Sequence, residues 1–257
     1  PTGVRQSGLC AVAARRAPQW PEKFYGSTLC AHGVGIMAWA SGTGCLFLSN
    51  GRRRGMNVVL LAEVTIEQVI GGAERVLRQQ ALGLAKLGHN VRVLARAPFE
   101  SAEASLVIGN VSEQRYPVMR TSEPAFVWSS VQNSLRAFDR MMQASPVDIA
   151  MIHQSLAGLG PILFRYGMVS RWVYVCHSFA HEEYLTRAER AATTLERVRR
   201  RLSVRARRWI ERMVIRRCHH VIVLSTFMKQ QVMATHGIIP KSITVVPGAA
   251  DPTTFYP

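Results

Sequence analysis

The segment of residues 58–96 constrains the fold of this chain more than any other part of the sequence. It begins with an apolar run, residues 58–62, whose length and branched side chains are typical of a buried parallel strand. Gly71 and Gly72 follow, and a second apolar run occupies residues 91–95. Between them, apolar residues recur every three or four positions, as on one face of a helix: Ala73, Leu77, Ala81 and Leu84. This order predicts the first unit of a doubly wound α/β domain with a parallel sheet.

The glycine pair lies where the first strand connects to the helix. Glycine lets the backbone approach a ligand closely, and the free N–H groups of a first helical turn favour an anion. Two glycines can equally serve only to form the turn, so both interpretations of Gly71 and Gly72 stay open. The loop has no GxGxxG and the chain has no GxxxxGK, so neither a dinucleotide fingerprint nor a P-loop is indicated.

Residues 71–96, GGAERVLRQQALGLAKLGHNVRVLAR, resemble the start of the N-terminal domain of GT-B glycosyltransferases of the retaining, family-4 type. Those enzymes have a GGAER-like loop before the first helix. They also have an L-x-x-x-G-H-x-V turn, which runs here from Leu84 to Val91. Two later segments agree, VYVCHS at residues 173–178 and the stretch from His219 to the end. The resemblance covers residues 56–257, and it implies a Rossmann-like N-terminal half of a GT-B fold without the C-terminal donor domain.

The resemblance also implies the chemistry. In this family the donor, a nucleotide sugar, is held mainly by the C-terminal domain, and the N-terminal domain supplies the acceptor side. The complete enzyme would transfer a sugar with retention to a glycan, lipid or small molecule, without a metal or other cofactor. Gly71, Gly72 and Glu74 are then expected to bind substrate or phosphate, and the isolated chain is expected to be inactive. The donor, the acceptor and the oligomeric state are not predicted.

The chain divides into three parts on this interpretation. Residues 1–55 show neither helical nor strand periodicity and are interpreted as a leader foreign to the domain. Residues 56–248 are interpreted as the glycosyltransferase domain, and residues 249–257 are interpreted as the start of an interdomain linker. Because the first residue is proline, we expect a fragment, a processed product or an upstream start. Residues 29–48 have the length of a membrane span but contain a histidine and many small polar residues, so the leader interpretation is preferred.

The net charge of +16 is concentrated in two segments. Residues 1–55 hold seven Lys or Arg and one acidic residue, and residues 187–217 hold twelve Arg and three Glu. The rest of the chain is nearly neutral. Five scattered cysteines without CxxC spacing argue against a zinc site and a disulfide scaffold, and they suit a reducing compartment. We therefore expect no metal and a cytoplasmic location, with peripheral attachment to the cytoplasmic face of a membrane as an option.

Residues 187–217 are predicted to form one long helix that docks by an apolar stripe at helical spacing: Leu195, Val198, Leu202, Ala206, Trp209 and Met213. Arginines on its other faces suit a solvated surface, an anionic membrane or, least well, a nucleic acid, because the one aromatic residue lies on the stripe. The membrane candidates are Arg199, Arg200, Arg201, Arg205 and Arg208.

The remaining elements follow from short apolar runs and helical patterns. Strands are predicted at residues 148–152, 172–176, 220–224 and 243–246, with a further strand near 116–119. Helices are predicted at residues 126–142, 156–166 and 226–235.

Three polar residues follow predicted strands, at the edge where open parallel sheets bind ligands: His153, His177 and Ser225. The family resemblance makes His177 the catalytic candidate, since a neutral imidazole can bond a sugar hydroxyl or a phosphate oxygen. His153 and Ser225 are weaker substrate-binding candidates, and Ser225 can instead cap the following helix. No His/Asp constellation accompanies Ser225, so hydrolase chemistry is not indicated. The rival function is a non-catalytic Rossmann-like module that binds an anionic partner through its Arg-rich helix.

Overall fold

The computed structural model describes residues 55–99, 103–187 and 193–248. The chain divides into two units, Pro1–Asn50 and Gly51–Pro257, and every described residue belongs to the second unit. The predictions for the leader (apart from Gly55), for the span of residues 29–48 and for the linker 249–257 therefore lie outside the described residues. Within the described ranges, no helix is long and apolar enough to cross a bilayer.

In the part of the chain that the structure describes, eight strands form one sheet in the order β3-β4-β2-β1-β5-β6-β7-β8. The strands are β1 (Asn57–Ala62), β2 (Asn90–Arg96), β3 (Ser105–Ile108), β4 (Val111–Tyr116), β5 (Ile149–Ile152), β6 (Arg171–Cys176), β7 (His220–Val223) and β8 (Ile243–Val245). All neighbouring strands are parallel except the edge pair β3 and β4. The strand order reverses direction between β1 and β5, which is the topological switch point of the sheet.

Within the described ranges, six helices connect the strands: α1 (Gly72–Lys86), α2 (Glu123–Ala144), α3 (Ser155–Phe164), α4 (Ala180–Arg187), α5 (Thr194–Arg217) and α6 (Thr226–His236). Two short 3₁₀ turns, Tyr166–Met168 and Pro240–Ser242, complete the described structure. Side chains of successive residues in β1 pack into two different hydrophobic cores, one on each face of the sheet, because side chains alternate along a strand. Val58 and Leu60 pack with Leu77 of α1, whereas Val59 and Leu61 belong to a larger core on the other face.

The predicted fold class is confirmed, because the sheet is mostly parallel, doubly wound and covered by helices on both faces. The predicted G-H turn also has a clear structural role. Gly88 adopts a φ of 87°, a left-handed conformation that favours glycine, and ends α1. Nδ1 of His89 then accepts a hydrogen bond of 3.2 Å from the backbone N–H of Met56, which holds the entry to β1 beside the start of β2.

The strand predicted near residues 116–119 is wrong by about one strand length, and the β3–β4 hairpin was missed. The reason is that β4, VSEQRY, does not look like a buried strand. Glu113 and Arg115 are both buried in β4 because they form an ion pair, with Nε of Arg115 lying 2.6 Å from Oε1 of Glu113. Paired charges thus occupy positions that apolar periodicity assigns to hydrophobic residues.

The long helix predicted for residues 187–217 is confirmed over Thr194–Arg217, but its predicted start is wrong. Arg187 belongs to α4, whereas α5 begins at Thr194, after the extended residue Thr193, whose hydroxyl accepts a hydrogen bond from Glu196 N–H. The predicted docking stripe is wrong as well, because Leu195, Leu202 and Trp209 are exposed. Helix α5 is buried only toward its C-terminus, through a different face: Glu211, Val214 and Ile215.

Candidate acceptor pocket and glycine loop

The topology brings the two candidate histidines together. Strands β5 and β6 are adjacent and parallel, so their carboxyl ends open on the same edge of the sheet. His153 follows β5 directly and His177 follows β6 directly. This edge lies beside the switch point between β1 and β5, where open α/β sheets bind their ligands.

His153 and His177 form a stacked, hydrogen-bonded pair. Nδ1 of His153 lies 2.8 Å from Nε2 of His177, and the ring centroids are 5.1 Å apart with an interplanar angle of 20°. One of these nitrogens must donate the proton and the other must accept it. Nε2 of His153 is buried and has no hydrogen-bond partner among the described residues. A buried ring nitrogen in this state can be satisfied by a bound ligand.

Both imidazoles are neutral near pH 7. Burial, and then the charge of its neighbour His177, hold the pKa of His153 well below 6.5. Burial lowers the pKa of His177 to about 4. The low dielectric of the interior disfavours the protonated ring, so the pair exchanges hydrogen bonds with uncharged groups such as hydroxyls.

The two histidines line a pocket of about 820 Å³, a size that suits a small organic ligand. Helices α2 and α5 both contribute to the pocket walls, and Ser203 and Arg207 of α5 both donate to the carboxylate of Glu123 in α2, at 3.0 and 2.8 Å. Apolar side chains line these walls: Phe126, Val127, Val131, Leu156, Ala206 and Ile210. Polar groups lie near the strand ends: Glu63, Arg96, His153, Gln154, His177 and Ser178.

Two arginines at the pocket each combine an ion pair with an aromatic contact. Nη1 of Arg96 lies 2.9 Å from Oε2 of Glu63, and its guanidinium lies 5.2 Å from the ring centroid of Phe126. Arg207, paired with Glu123, has its guanidinium 4.5 Å from the ring of Tyr184. Because carboxylates balance both positive charges, the pocket suits a neutral ligand that has hydroxyl groups and a face for aromatic contact.

Glu211 of α5 is a buried carboxylate at this pocket, and no local sequence pattern predicts its burial. Its Oε1 accepts hydrogen bonds from the hydroxyl of Tyr174, at 3.3 Å, and from Ala180 N–H, at 3.2 Å. Its Oε2 lies 3.5 Å from Nδ1 of His181 and 3.5 Å from Nε2 of His236. Glu211 therefore ties α5 to β6 and to the segment that carries the catalytic candidate.

Gly71 and Gly72 lie at the N-terminus of α1 and do not line this pocket. Gly71 is extended, with φ −130°, and Gly72 has no positive φ. A Cβ at Gly72 would meet no described atom within 4 Å, and a Cβ at Gly71 would meet only the flexible carboxylate of Glu74. Backbone conformation and packing against the described residues therefore do not explain glycine at either position.

Glu74 and Ser225 both cap helices. Oε2 of Glu74 accepts a hydrogen bond of 3.1 Å from Gly71 N–H, and its contact with a substrate stays a prediction. Ser225 Oγ accepts from Met228 N–H at 3.1 Å, which is the capping alternative raised by the sequence. Ser225 does not line the pocket, so the structure brings only His153 and His177 together among the strand-end candidates.

The membrane candidates on α5 differ in exposure. Arg199, Arg201, Arg205 and Arg208 are exposed, and Arg199 also lines the pocket. Arg200 is half-buried and donates to the carbonyl oxygen of Leu185 at 3.2 Å. Within the part of the chain that the structure describes, no group of three His, Cys, Asp or Glu side chains is arranged to hold a metal, and the metal-free reaction stays a prediction.

The sequence did not identify two aromatic residues of the pocket lining, Phe126 and Trp128. Tyr184 of α4 also lines the pocket, beneath Arg207. Phe126 and Trp128 lie in the first turns of α2, and only their position just after a strand–loop connection could have drawn attention to them. Pocket walls formed by two helices distant in sequence leave no local pattern.

Comparisons with known proteins agree with this architecture. The family model described as Glycosyltransferase Family 4 matches residues 70–254. No curated protein gives a significant match. Among solved structures, sucrose-phosphate synthase from Thermosynechococcus elongatus superimposes with a TM-score of 0.64 at 15% identity, over 79% of this chain and 50% of that chain. The apo form of the lipopolysaccharide outer core galactosyltransferase WaaB gives 0.52 at 13% identity, over 76% and 46%.

The chain thus spans about half the length of these two proteins. At such identities the structural likeness shows the fold alone, whereas the family model covers most of the chain. With the doubly wound sheet and the family match taken together, the chain belongs to Glycosyltransferase Family 4 and has the fold of the N-terminal half of a GT-B glycosyltransferase.

Proposed function

We propose that this chain is the acceptor-binding half of an enzyme that transfers a sugar from a nucleotide sugar to an acceptor hydroxyl with retention. The observation that carries the proposal is the neutral His153–His177 pair in a pocket of about 820 Å³ at the switch point of the sheet. Family membership supports glycosyl transfer as the reaction class. It does not support the rival, a non-catalytic module that binds an anionic partner.

The acceptor is proposed to bind in the pocket between α2 and α5. The neutral imidazoles would exchange hydrogen bonds with its hydroxyls, and the partnerless Nε2 of His153 would gain a partner. The rings of Phe126 and Tyr184 would contact the apolar face of a sugar. In this role His177 contacts the acceptor directly, and Glu211 is a positioning residue that holds the segment after β6.

The donor diphosphate is proposed to approach the N-terminus of α1. Gly71 and Gly72 leave the backbone N–H groups of this helix accessible, and the helix N-terminus favours the negative charge. In the reaction, the acceptor oxygen forms a bond to the anomeric carbon and the bond from that carbon to the phosphate oxygen breaks. The proton of the acceptor hydroxyl leaves with the nucleoside diphosphate, so atoms and charges balance.

Because the chain spans about half the length of the solved glycosyltransferases it resembles, we expect it to bind acceptor but not to turn over donor by itself. Donor contacts would come from a second domain, and a cytoplasmic location is proposed from the scattered cysteines.

The test compares this chain with the product of the complete reading frame that contains it. Each is incubated with a panel of nucleotide sugars and acceptors, and released nucleoside diphosphate and glycosylated product are measured together. We expect acceptor binding by both proteins, detected as shifts of the histidine ring signals, and transfer only by the longer one. Robust transfer by this chain alone would contradict the proposal that donor contacts come from a second domain. Absence of transfer by the longer protein would contradict the proposed function.

A further inference from the structure

Helix α5 carries an exposed apolar stripe. Leu195, Val198, Leu202 and Trp209 are 79%, 47%, 59% and 63% exposed. At about 100° per residue, these four side chains fall within a sector of roughly 60° along about 21 Å of the helix. The buried residues of α5, among them Glu211 and Val214, lie on the opposite side of the helix. Large apolar side chains aligned in this way on a solvent-exposed helix are typical of an interaction surface.

Arginines lie on both sides of the stripe. Arg199 is on one side, Arg205 and Arg212 are on the other, and all three are exposed. The helix has ten arginines and two glutamates. Of the two acidic residues, Glu196 accepts a hydrogen bond from Thr193 N–H at the helix start, and Glu211 is buried. The exposed face of α5 therefore combines an apolar centre with positively charged margins.

This stripe is continuous with the mouth of the acceptor pocket. Leu202 and Arg199 line the pocket and are exposed at the same time. Trp128 of α2 also lines the pocket and is 64% exposed. A ligand that lies along the stripe would thus reach the pocket without leaving the apolar surface.

We infer that α5 lies in the interface of an anionic lipid bilayer, with Leu195, Val198, Leu202 and Trp209 inserted between the lipids and the flanking arginines among the headgroup phosphates. This orientation presents the pocket mouth to the headgroups. If the proposed glycosyl transfer holds, the acceptor is therefore a membrane lipid, whose polar headgroup enters the pocket while its acyl chains stay in the bilayer. The proposal rests on charge complementarity together with the apolar stripe.

A nucleic acid is a poorer occupant for the same surface. Phosphates would satisfy the arginines, but a sugar–phosphate backbone offers no apolar phase for the aliphatic side chains of Leu195 and Val198. An interfacial helix has the opposite requirement, since it needs apolar residues on one side and Lys or Arg beside them. The arrangement on α5 meets both conditions.

The first experiment measures co-sedimentation of the 257-residue chain with vesicles, either of phosphatidylcholine alone or with about one-third phosphatidylglycerol. We expect binding to the anionic vesicles that weakens with added salt. Neutralising two flanking arginines, Arg205→Gln with Arg212→Gln, is expected to weaken binding roughly 30-fold, on the basis of about 1 kcal/mol per basic residue at an anionic surface. The matched control removes two exposed arginines of α2, Arg136→Gln with Arg140→Gln, and is expected to bind as the parent does.

The second experiment tests insertion of the stripe. Leu195→Ser with Val198→Ser changes two exposed residues that do not line the pocket, so an unchanged thermal melt is expected while vesicle binding falls about tenfold or more. Lipids brominated on the acyl chains should quench fluorescence of the parent more than that of Trp209→Phe. Equal binding by the serine variant, equal quenching, or equal affinity for neutral vesicles would each overturn the proposal. The proposal would also be overturned if the chain bound duplex or single-stranded nucleic acid more tightly than vesicles, and if Leu195→Ser with Val198→Ser left that binding unchanged.

The acceptor class is tested separately with the complete reading frame, by offering glycolipid and phospholipid acceptors in vesicles beside soluble sugars. Transfer to lipids supports the inference. Transfer only to soluble sugars would overturn the acceptor class while leaving glycosyl transfer intact. Vesicle binding without transfer to any acceptor would contradict the proposed function while leaving the membrane surface of α5 intact.

Discussion

Replacing Glu113 with alanine should destabilise the fold strongly, although Glu113 lies in a strand of polar appearance. Its side chain is fully buried, and its two oxygens have different partners. Oε1 accepts from Nε of Arg115 at 2.6 Å, and Oε2 accepts from Ile66 N–H at 2.7 Å. Ile66 is buried in the connection between β1 and α1, so this carboxylate anchors the loop that leads to the glycine pair.

The magnitude follows from what the substitution leaves behind. Removing one partner of a buried ion pair costs about 3–5 kcal/mol, and a buried N–H without an acceptor costs about 1–3 kcal/mol. Glu67 lies 2.6 Å from Nη2 of Arg115 and is 43% exposed, so it still holds part of the guanidinium charge. We therefore expect a total of about 3–5 kcal/mol rather than the sum of both costs. With a urea m-value of about 2 kcal/mol/M, the unfolding midpoint should fall by about 2 M.

Urea unfolding, followed by fluorescence of the buried Trp172, measures this loss. Glu103→Ala, which removes an exposed carboxylate, is the matched control and should change stability by no more than about 0.5 kcal/mol. Glu113→Leu combined with Arg115→Met removes both charges and should recover about half of the loss, leaving about 1–3 kcal/mol for the unpaired Ile66 N–H. The ion-pair reasoning would be refuted if Glu113→Ala lost less than about 1 kcal/mol of unfolding free energy, or if the double variant were less stable than Glu113→Ala.

Three further predictions concern the site. His177→Ala in the complete enzyme should lower turnover by roughly tenfold to a few hundredfold, at about 1.4 kcal/mol per decade. The His177→Gln side chain can still form a hydrogen bond with His153, so this variant should recover stability more than turnover. Gly72→Ala should leave the melting temperature unchanged and weaken diphosphate binding, because a Cβ there meets no described atom within 4 Å. Stability should fall between pH 6.5 and pH 4, since the pKa of His177 is about 4 in the folded chain and near 6.5 in the unfolded one.

Each of these predictions has a control. For Gly72→Ala, the contrast is Gly160→Ala, where a Cβ would lie 2.5 Å from the carbonyl oxygen of Val131, so this variant should lose about 1–3 kcal/mol of stability. The pH effect has a definite sign, because the unfolded chain binds more protons across this window, and it should reach at most about 3 kcal/mol for His177. A His177→Gln variant that keeps the whole pH effect would contradict the assignment to this residue. Full turnover by His177→Ala would leave His177 with a structural role.

The central part of the fold could be predicted from the sequence because each of its elements is locally consistent. The runs that became β1, β2, β5 and β6 are apolar, branched and short, as buried parallel strands require. The helix between β1 and β2 is amphipathic and ends at a glycine of positive φ. Where local pattern, turn chemistry and burial agree in this way, a single sequence is sufficient to predict the element.

The errors arose where burial depends on residues far apart in the chain. Glu113 accepts a hydrogen bond from Ile66 N–H and Glu211 accepts one from Ala180 N–H, and no local pattern reports partners so distant in the chain. The opposite holds for α5, where Leu195 and Trp209 repeat at helical spacing but remain exposed. Spacing predicts that side chains share a face of a helix, but it does not predict which face the rest of the protein covers.

The histidine pair shows how topology adds to what single residues can indicate. Taken alone, His153 and His177 are each one residue after a strand, and neither sequence position predicts contact with the other. Adjacent parallel pairing of β5 with β6 brings their rings to 5.1 Å, and burial then lowers the pKa of both. Since two close imidazoles in a low dielectric resist protonation, the pair can supply directed hydrogen bonds at pH 7 without adding positive charge. A hydroxyl acceptor fits such a site better than a phosphate does, which is why we propose that the acceptor binds in the pocket and the donor diphosphate at the N-terminus of α1.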